Sequence, residues 1–137
     1  MQEAMLELIE RMKQHAPRLP RVKHAKNRNP HLLEIALFDS HFGKLAWALE
    51  TGTNYDLRIS EQVYLKAVQD LLAKSSHYNI AKIVLPIGQD FFHVNNASNQ
   101  TANGTPQDVD GRLKKVFKVG CEAVVKAVLY CREIAPV

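Results

Sequence analysis

Leu32-Leu33-Glu34-Ile35-Ala36-Leu37-Phe38, running straight into Asp39-Ser40-His41, is the stretch that decides how the rest of the chain is read. An apolar run of this length suits a strand buried in a sheet better than one face of a helix. A second such run, Ile80-Ala81-Lys82-Ile83-Val84-Leu85-Pro86-Ile87, is broken by Gly88. Between the two, Asp56 stands where a helix N-cap belongs. Ile59, Val63, Tyr64, Ala67, Val68, Leu71 and Leu72 then recur as one apolar stripe, which predicts a helix over 57–76. Strand, helix and strand in this order form a right-handed βαβ unit with a parallel sheet.

Outward from that unit the pattern weakens. Residues 39–56 read as a loop with one helical turn around 45–49, and residues 88–105 as a polar loop. Thr105-Pro106-Gln107-Asp108 has the hydroxyl, proline and acid of a helix start, so a last helix is expected over 106–133. Its stripe is Leu113, Val116, Phe117, Gly120, Val124, Val128 and Cys131. Upstream, Met5, Leu8, Ile9 and Met12 predict a short helix over 2–15, ended by Pro17 and Pro20. The fold class is therefore α/β. Residues 1–31 form an N-terminal helix and basic linker, and residues 32–137 the α/β part. Parallel sheets rarely stop at two strands. Ala135-Pro136-Val137 stands where a third strand is expected to begin, so the chain reads as the N-terminal part of a larger domain.

The bulk numbers limit the possibilities. The 137 residues suffice for one core, and 46% hydrophobic with 23% charged residues excludes disordered and collagen-like classes. The net charge of +4 is mild. It is uneven, because Arg18, Arg21, Lys23, Lys26 and Arg28 fall together with no acid among them. That segment reads first as a solvated linker, with contact to a nucleic-acid phosphate as the lesser reading. No apolar run approaches the roughly 20 residues of a membrane span, and Met1-Gln2-Glu3-Ala4 lacks the start of a secretory leader. A cytoplasmic protein without membrane contact is expected. Cys121 and Cys131 lie about 15 Å apart along one predicted helix, too far for a disulfide, and are read as reduced thiols packed in a core.

Open parallel sheets place their ligands at the C-terminal ends of the strands. After the first strand come Asp39 and His41, and after the second come Asp90 and His93. If strand geometry persists, Asp39 and His41 point to one side. A carboxylate and an imidazole there, joined by Asp90 from the neighbouring strand, suit a borderline divalent metal such as Mn, Fe or Zn. Spacing alone leaves a second reading equally open: Asp39 caps a turn, His41 is an ordinary loop histidine and Asp90 caps a helix. Asp108 and Asp110 are better explained by the positive end of the last helix than by metal binding. Trp47 and Phe42 are read as packing the loop.

Asp39-Ser40-His41-Phe42-Gly43-Lys44 resembles the first motif of calcineurin-like metallophosphoesterases. Gly88-Gln89-Asp90-Phe91-Phe92-His93 is similar to their second. The similarity covers about residues 32–137 and extends to phage- and prophage-encoded members. It implies a partial metallophosphoesterase-type βαβα unit. It also implies two divalent cations that clamp the attacking and leaving oxygens of a phosphate ester, with a phosphodiester in nucleic acid as the expected substrate. Asp39 and His41 would bind the first cation and Asp90 would bridge both. His93 would support the site by hydrogen bonding, and Lys44, Asn95 and Asn96 would lie toward substrate. The family's Gly-Asn-His-(Asp/Glu) motif and later histidines have no counterpart in residues 1–137. Gln89 separates Gly88 from Asp90, and Asn95 stands where related loops carry an acid. The second cation site is therefore incomplete. A complementing chain, a homo-oligomer or a small basic nucleic-acid-binding module are the rival expectations.

Overall fold

The computed structural model describes residues 23–24 and 28–137. The expected helix over 2–15 and most of the basic linker lie outside the described residues. The elements are β1 (His31–Glu34), α1 (Ala48–Thr51), α2 (Leu57–Lys74), β2 (Ile80–Val84) and α3 (Leu113–Ile134). The molecule is mixed α/β. β1 and β2 pair in parallel, with Leu33 opposite Ile83 and Glu34 opposite Val84.

Both strands are shorter than their apolar runs, and Pro86 supplies the reason. The Ile35 N–H still donates to the Val84 carbonyl at 2.9 Å. The next rung would need an N–H from residue 86, which a proline does not have. The two chains separate there and rejoin further on. Asp39 N–H donates to the Gln89 carbonyl (2.9 Å), His41 N–H to Asp90 (2.9 Å) and Phe42 N–H to Phe91 (2.8 Å). Phe42 and Phe92 form a parallel bridge. One interrupted ladder thus carries the chain past the strands and holds the two following loops side by side.

α2 begins where expected. Asp56 Oδ1 accepts from Ile59 N–H at 2.7 Å, and the helix buries Leu57, Ser60, Tyr64, Val68 and Leu72 at spacings of three and four. Val63, counted in the predicted stripe, is exposed. α3 starts seven residues later than the Thr105-Pro106 signal suggests, with Arg112 at its N-cap. Residues 106–112 instead run alongside the first loop. Lys44 bridges Val109 antiparallel, and Asp110 N–H donates to the Gly43 carbonyl at 2.8 Å. Tertiary pairing has overridden a local capping signal. The buried face of α3 is Val116, Gly120, Ala123, Ala127 and Cys131, while Phe117 is largely exposed. α2 and α3 pack on each other and share one core with Ile35, Ile80 and Ile83. A Lys126–Glu61 ion pair (2.6 Å) joins their exposed sides.

The other face of the sheet is open among the described residues: Leu32 is 63% exposed, and Glu34, Lys82 and Val84 are exposed with it. Parallel sheets are ordinarily covered on both faces, and among the described residues this one is not. Ile83 N–H donates to the Pro136 carbonyl at 2.8 Å, so the tail lies against the edge of β2 away from β1. Both cysteines are free, but only Cys131 is in the core; Cys121 is exposed. Among the described residues no helix is long and apolar enough to cross a membrane.

Candidate metal centre

The loops after β1 and β2 hold their polar side chains outward because the next residue is anchored inward. Phe42 follows His41 and is fully buried; Phe91 follows Asp90 and is 5% exposed. Their rings stack at 4.7 Å, and the Tyr64 ring from α2 stands edge-on to both, at 5.7 and 5.5 Å. Aromatic clusters of this geometry add to the burial of the rings themselves. Two apolar anchors clamped by the Phe42–Phe91 backbone bond therefore fix where the preceding ligand residues sit.

Strand geometry does not persist through the loops, as the two-apart argument for Asp39 and His41 required. Asp39 (φ 56°), His41 (φ 43°), Gln89 (φ 43°) and Asp90 (φ 53°) are all left-handed. Each such non-glycine residue costs of order 1–2 kcal/mol. Both loops carry paired kinks, and the kinks bring the side chains together. One donor atom from each of Asp39, His41 and Asp90 lies within 4.8 Å of one from each of the others, and the three form a group able to hold a metal ion. Donors at about 2.1 Å from a shared cation stand at most about 4.2 Å apart, so a small side-chain adjustment closes this set round one ion. Two carboxylates and one imidazole are a fitting set for a first-row divalent cation.

The competing capping reading finds no support. Asp90 does not precede a helix, and neither carboxylate takes part in a hydrogen bond or ion pair among the described residues. Asp39 and Asp90 are exposed and His41 is half-buried, so the group opens to solvent.

His93 is beside the centre. Its Nδ1 lies 3.1 Å from His41 Nδ1, and the rings meet edge to face at 5.1 Å. One of the two nitrogens must carry the proton, and a hydrogen bond at Nδ1 leaves His41 Nε2 free for a cation. Burial, then the neighbouring His41 and Lys44, hold the His93 pKa below its usual value, against an upward pull from Asp90 and Asp108. The neutral form is favoured.

The other predicted site residues divide. Lys44 lines the cleft beside the centre together with Asp39 and His41. Asn95 lines a separate cleft with Phe92, Val94 and Phe117. Asn96 is engaged within its own loop, its Oδ1 accepting from Ser98 N–H (3.0 Å) and Gln100 N–H (3.2 Å). Asp110 does serve a helix N-terminus, but that of α2: its Oδ2 accepts from Leu57 N–H at 2.9 Å. Asp108 acts electrostatically on His93, a role that sequence spacing could not show because it arises from the 106–112 segment folding back on Lys44. Phe42 packs the core, whereas Trp47 is 55% exposed and packs less than expected.

Comparison with known proteins adds no relative: no family model matches the chain, nor does any curated protein or solved structure.

Proposed function

We propose that this chain is the metal-binding α/β unit of a divalent-cation-dependent phosphoesterase, directed at phosphodiesters. The observation that carries the proposal is the meeting of Asp39, His41 and Asp90, from two loops that follow adjacent parallel strands, at one open point. The motif resemblance around these residues supports it. So does the chemistry, because an oxygen- and nitrogen-lined cation site open to solvent suits an anionic ester.

A bound divalent cation supplies charge and Lewis acidity toward a phosphoryl oxygen. The chain's own residues do the rest. Asp39, His41 and Asp90 hold the ion, His93 fixes the orientation of His41, and Lys44 adds positive charge where the ester enters. Three donor residues make one cation site. A second ion needs donors beyond this group, so these residues by themselves bind one cation and turn over little.

Calorimetric titration with Mn²⁺ tests the reading. A single binding event per chain, lost in Asp39→Ala, is expected. Equal heats from the two proteins would end the proposal. Hydrolysis of an aryl phosphodiester well above the Mn²⁺-only blank would show that one cation suffices.

A further inference from the structure

We infer that the cleft beside the metal centre seats the organic substituent of the ester, and that this substituent is a single flat, apolar, ring-sized group. The inference rests on the metal-binding reading above and gives it a substrate class.

The cleft has a volume of about 440 Å³, within the range of small-ligand pockets of about 300–1,000 Å³. It lies between the turn carrying Asp39 and His41, the 46–55 loop closed by the Ala46–Tyr55 bridge, and the face of α2 carrying Val63 and Ala67. Two of its lining residues are members of the metal-binding group, and Lys44 lines it too. A phosphoryl group held at the centre would therefore place its substituent in this space.

The walls decide what that substituent is. Three of the hydroxyls in the walls are already engaged with backbone carbonyls, while the Tyr64 hydroxyl is buried without a hydrogen-bond partner among the described residues and Thr53 is exposed. The Tyr55 hydroxyl donates to Ser40 (2.7 Å), Ser60 Oγ to Leu57 (2.8 Å), and Thr51 Oγ1 lies at 3.0 Å from the Trp47 carbonyl and 2.9 Å from that of Thr53. Away from the charged end formed by Asp39 and Lys44, the apolar lining is open: Phe38 is 39% exposed and Val63 55% exposed. An aromatic ring would cover these surfaces. The Ala46–Tyr55 pairing, with N–H···O distances of 2.8 and 2.9 Å in the two directions, keeps the outer wall in shape without the ligand.

The probes are phenylphosphonate and methylphosphonate, titrated into Mn²⁺-loaded protein by calorimetry. Covering some 60 Å² of apolar surface predicts phenylphosphonate binding about tenfold more tightly. Ala67→Phe and Ala46→Phe fill the cleft from opposite walls. Either should abolish the phenyl preference while leaving Mn²⁺ uptake and methylphosphonate binding unchanged, and retained Mn²⁺ uptake identifies the variant that has folded. Equal affinities for the two phosphonates, no phosphonate binding, or a phenyl preference that survives in a folded filled variant would overturn this inference and leave the metal centre standing. Failure of wild-type protein to take up Mn²⁺ would overturn both.

Discussion

Replacing Gly43 with alanine tests how the first loop is held against α3, and its cost can be worked from the structure. Gly43 sits at φ +94°, where an L-residue is strained by about 1–2 kcal/mol. A Cβ built there would lie 2.7 Å from Val116 Cγ1 and 2.9 Å from Cγ2. Val116 is fully buried, and a β-branched residue in a helix has one strongly preferred rotamer, so it has nowhere to turn. Overpacking of this kind costs about 1–3 kcal/mol. Together the two effects predict a loss of about 2–5 kcal/mol from a domain whose whole stability is of order 5–15 kcal/mol. Urea denaturation reads this as a midpoint lower by about 1–2.5 M, taking a slope of about 2 kcal/mol per molar. The two parts separate in a double-mutant cycle with Val116→Ala. That change opens space opposite the new methyl group, so the pair should be less destabilised than the sum of the singles by about 1–3 kcal/mol. The backbone strain should remain. Additivity within about 0.5 kcal/mol, or a single-variant loss below about 1 kcal/mol, would refute the packing argument.

Gln89→Gly should stabilise the protein by about 0.5–1 kcal/mol, because Gln89 is exposed at φ 43° and glycine removes the left-handed strain at some entropic cost; a lower urea midpoint would show that the kink is not strained. Burial raises the Cys131 pKa, and burial together with Cys131 raises that of Tyr64. The folded state therefore holds protons that the unfolded chain releases, so stability is fully present below the unfolded cysteine pKa of about 8.5 and falls as pH rises above it. Cys131→Ala should move the onset of that fall up toward the tyrosine range, and urea midpoints with the same pH profile in both proteins would contradict it.

Much of the fold follows from local pattern. The α2 stripe and the Asp56 cap are both written in sequence, and α2 begins at the residue they indicate. The apolar runs located the two strands but overstated their length, because periodicity does not register the N–H that Pro86 lacks. The Thr105-Pro106-Gln107-Asp108 signal misled for a different reason. Its local preference is modest, and pairing of residues 108–110 with 43–45 supplies backbone bonds that a helix would otherwise make. Phe117 and Gly120 show the limit of a stripe. The Phe117 ring stacks on Phe92 at 5.3 Å near the surface, while a Cβ at Gly120 would lie 2.5 Å from the Phe92 ring. The helix face is thus set by how the Phe91–Phe92 pair needs to pack, a long-range demand that no window of the sequence contains.

The meeting of Asp39, His41 and Asp90 was expected from sequence, but by a route that the structure does not follow. Alternation along a strand was to put Asp39 and His41 on one side, yet both residues have left the strand. Four left-handed residues in two loops cost several kcal/mol between them, estimated at about 1–2 kcal/mol each. Among the described residues nothing in the bare carboxylates offsets that cost, since neither Asp39 nor Asp90 takes part in an ion pair there. The repayment within the fold comes from the neighbours. Phe42 and Phe91 each bury a ring, and a fully buried Phe is worth about 1.5–3 kcal/mol, while four backbone bonds tie the kinks together. Strain at the outward residue and anchorage at the inward one are two halves of a single arrangement. The pattern His41-Phe42 and Asp90-Phe91, a candidate ligand followed at once by a core aromatic, is therefore the part of the sequence that dictates geometry. The Asp-x-His spacing points to candidate donors, and the phenylalanines place them.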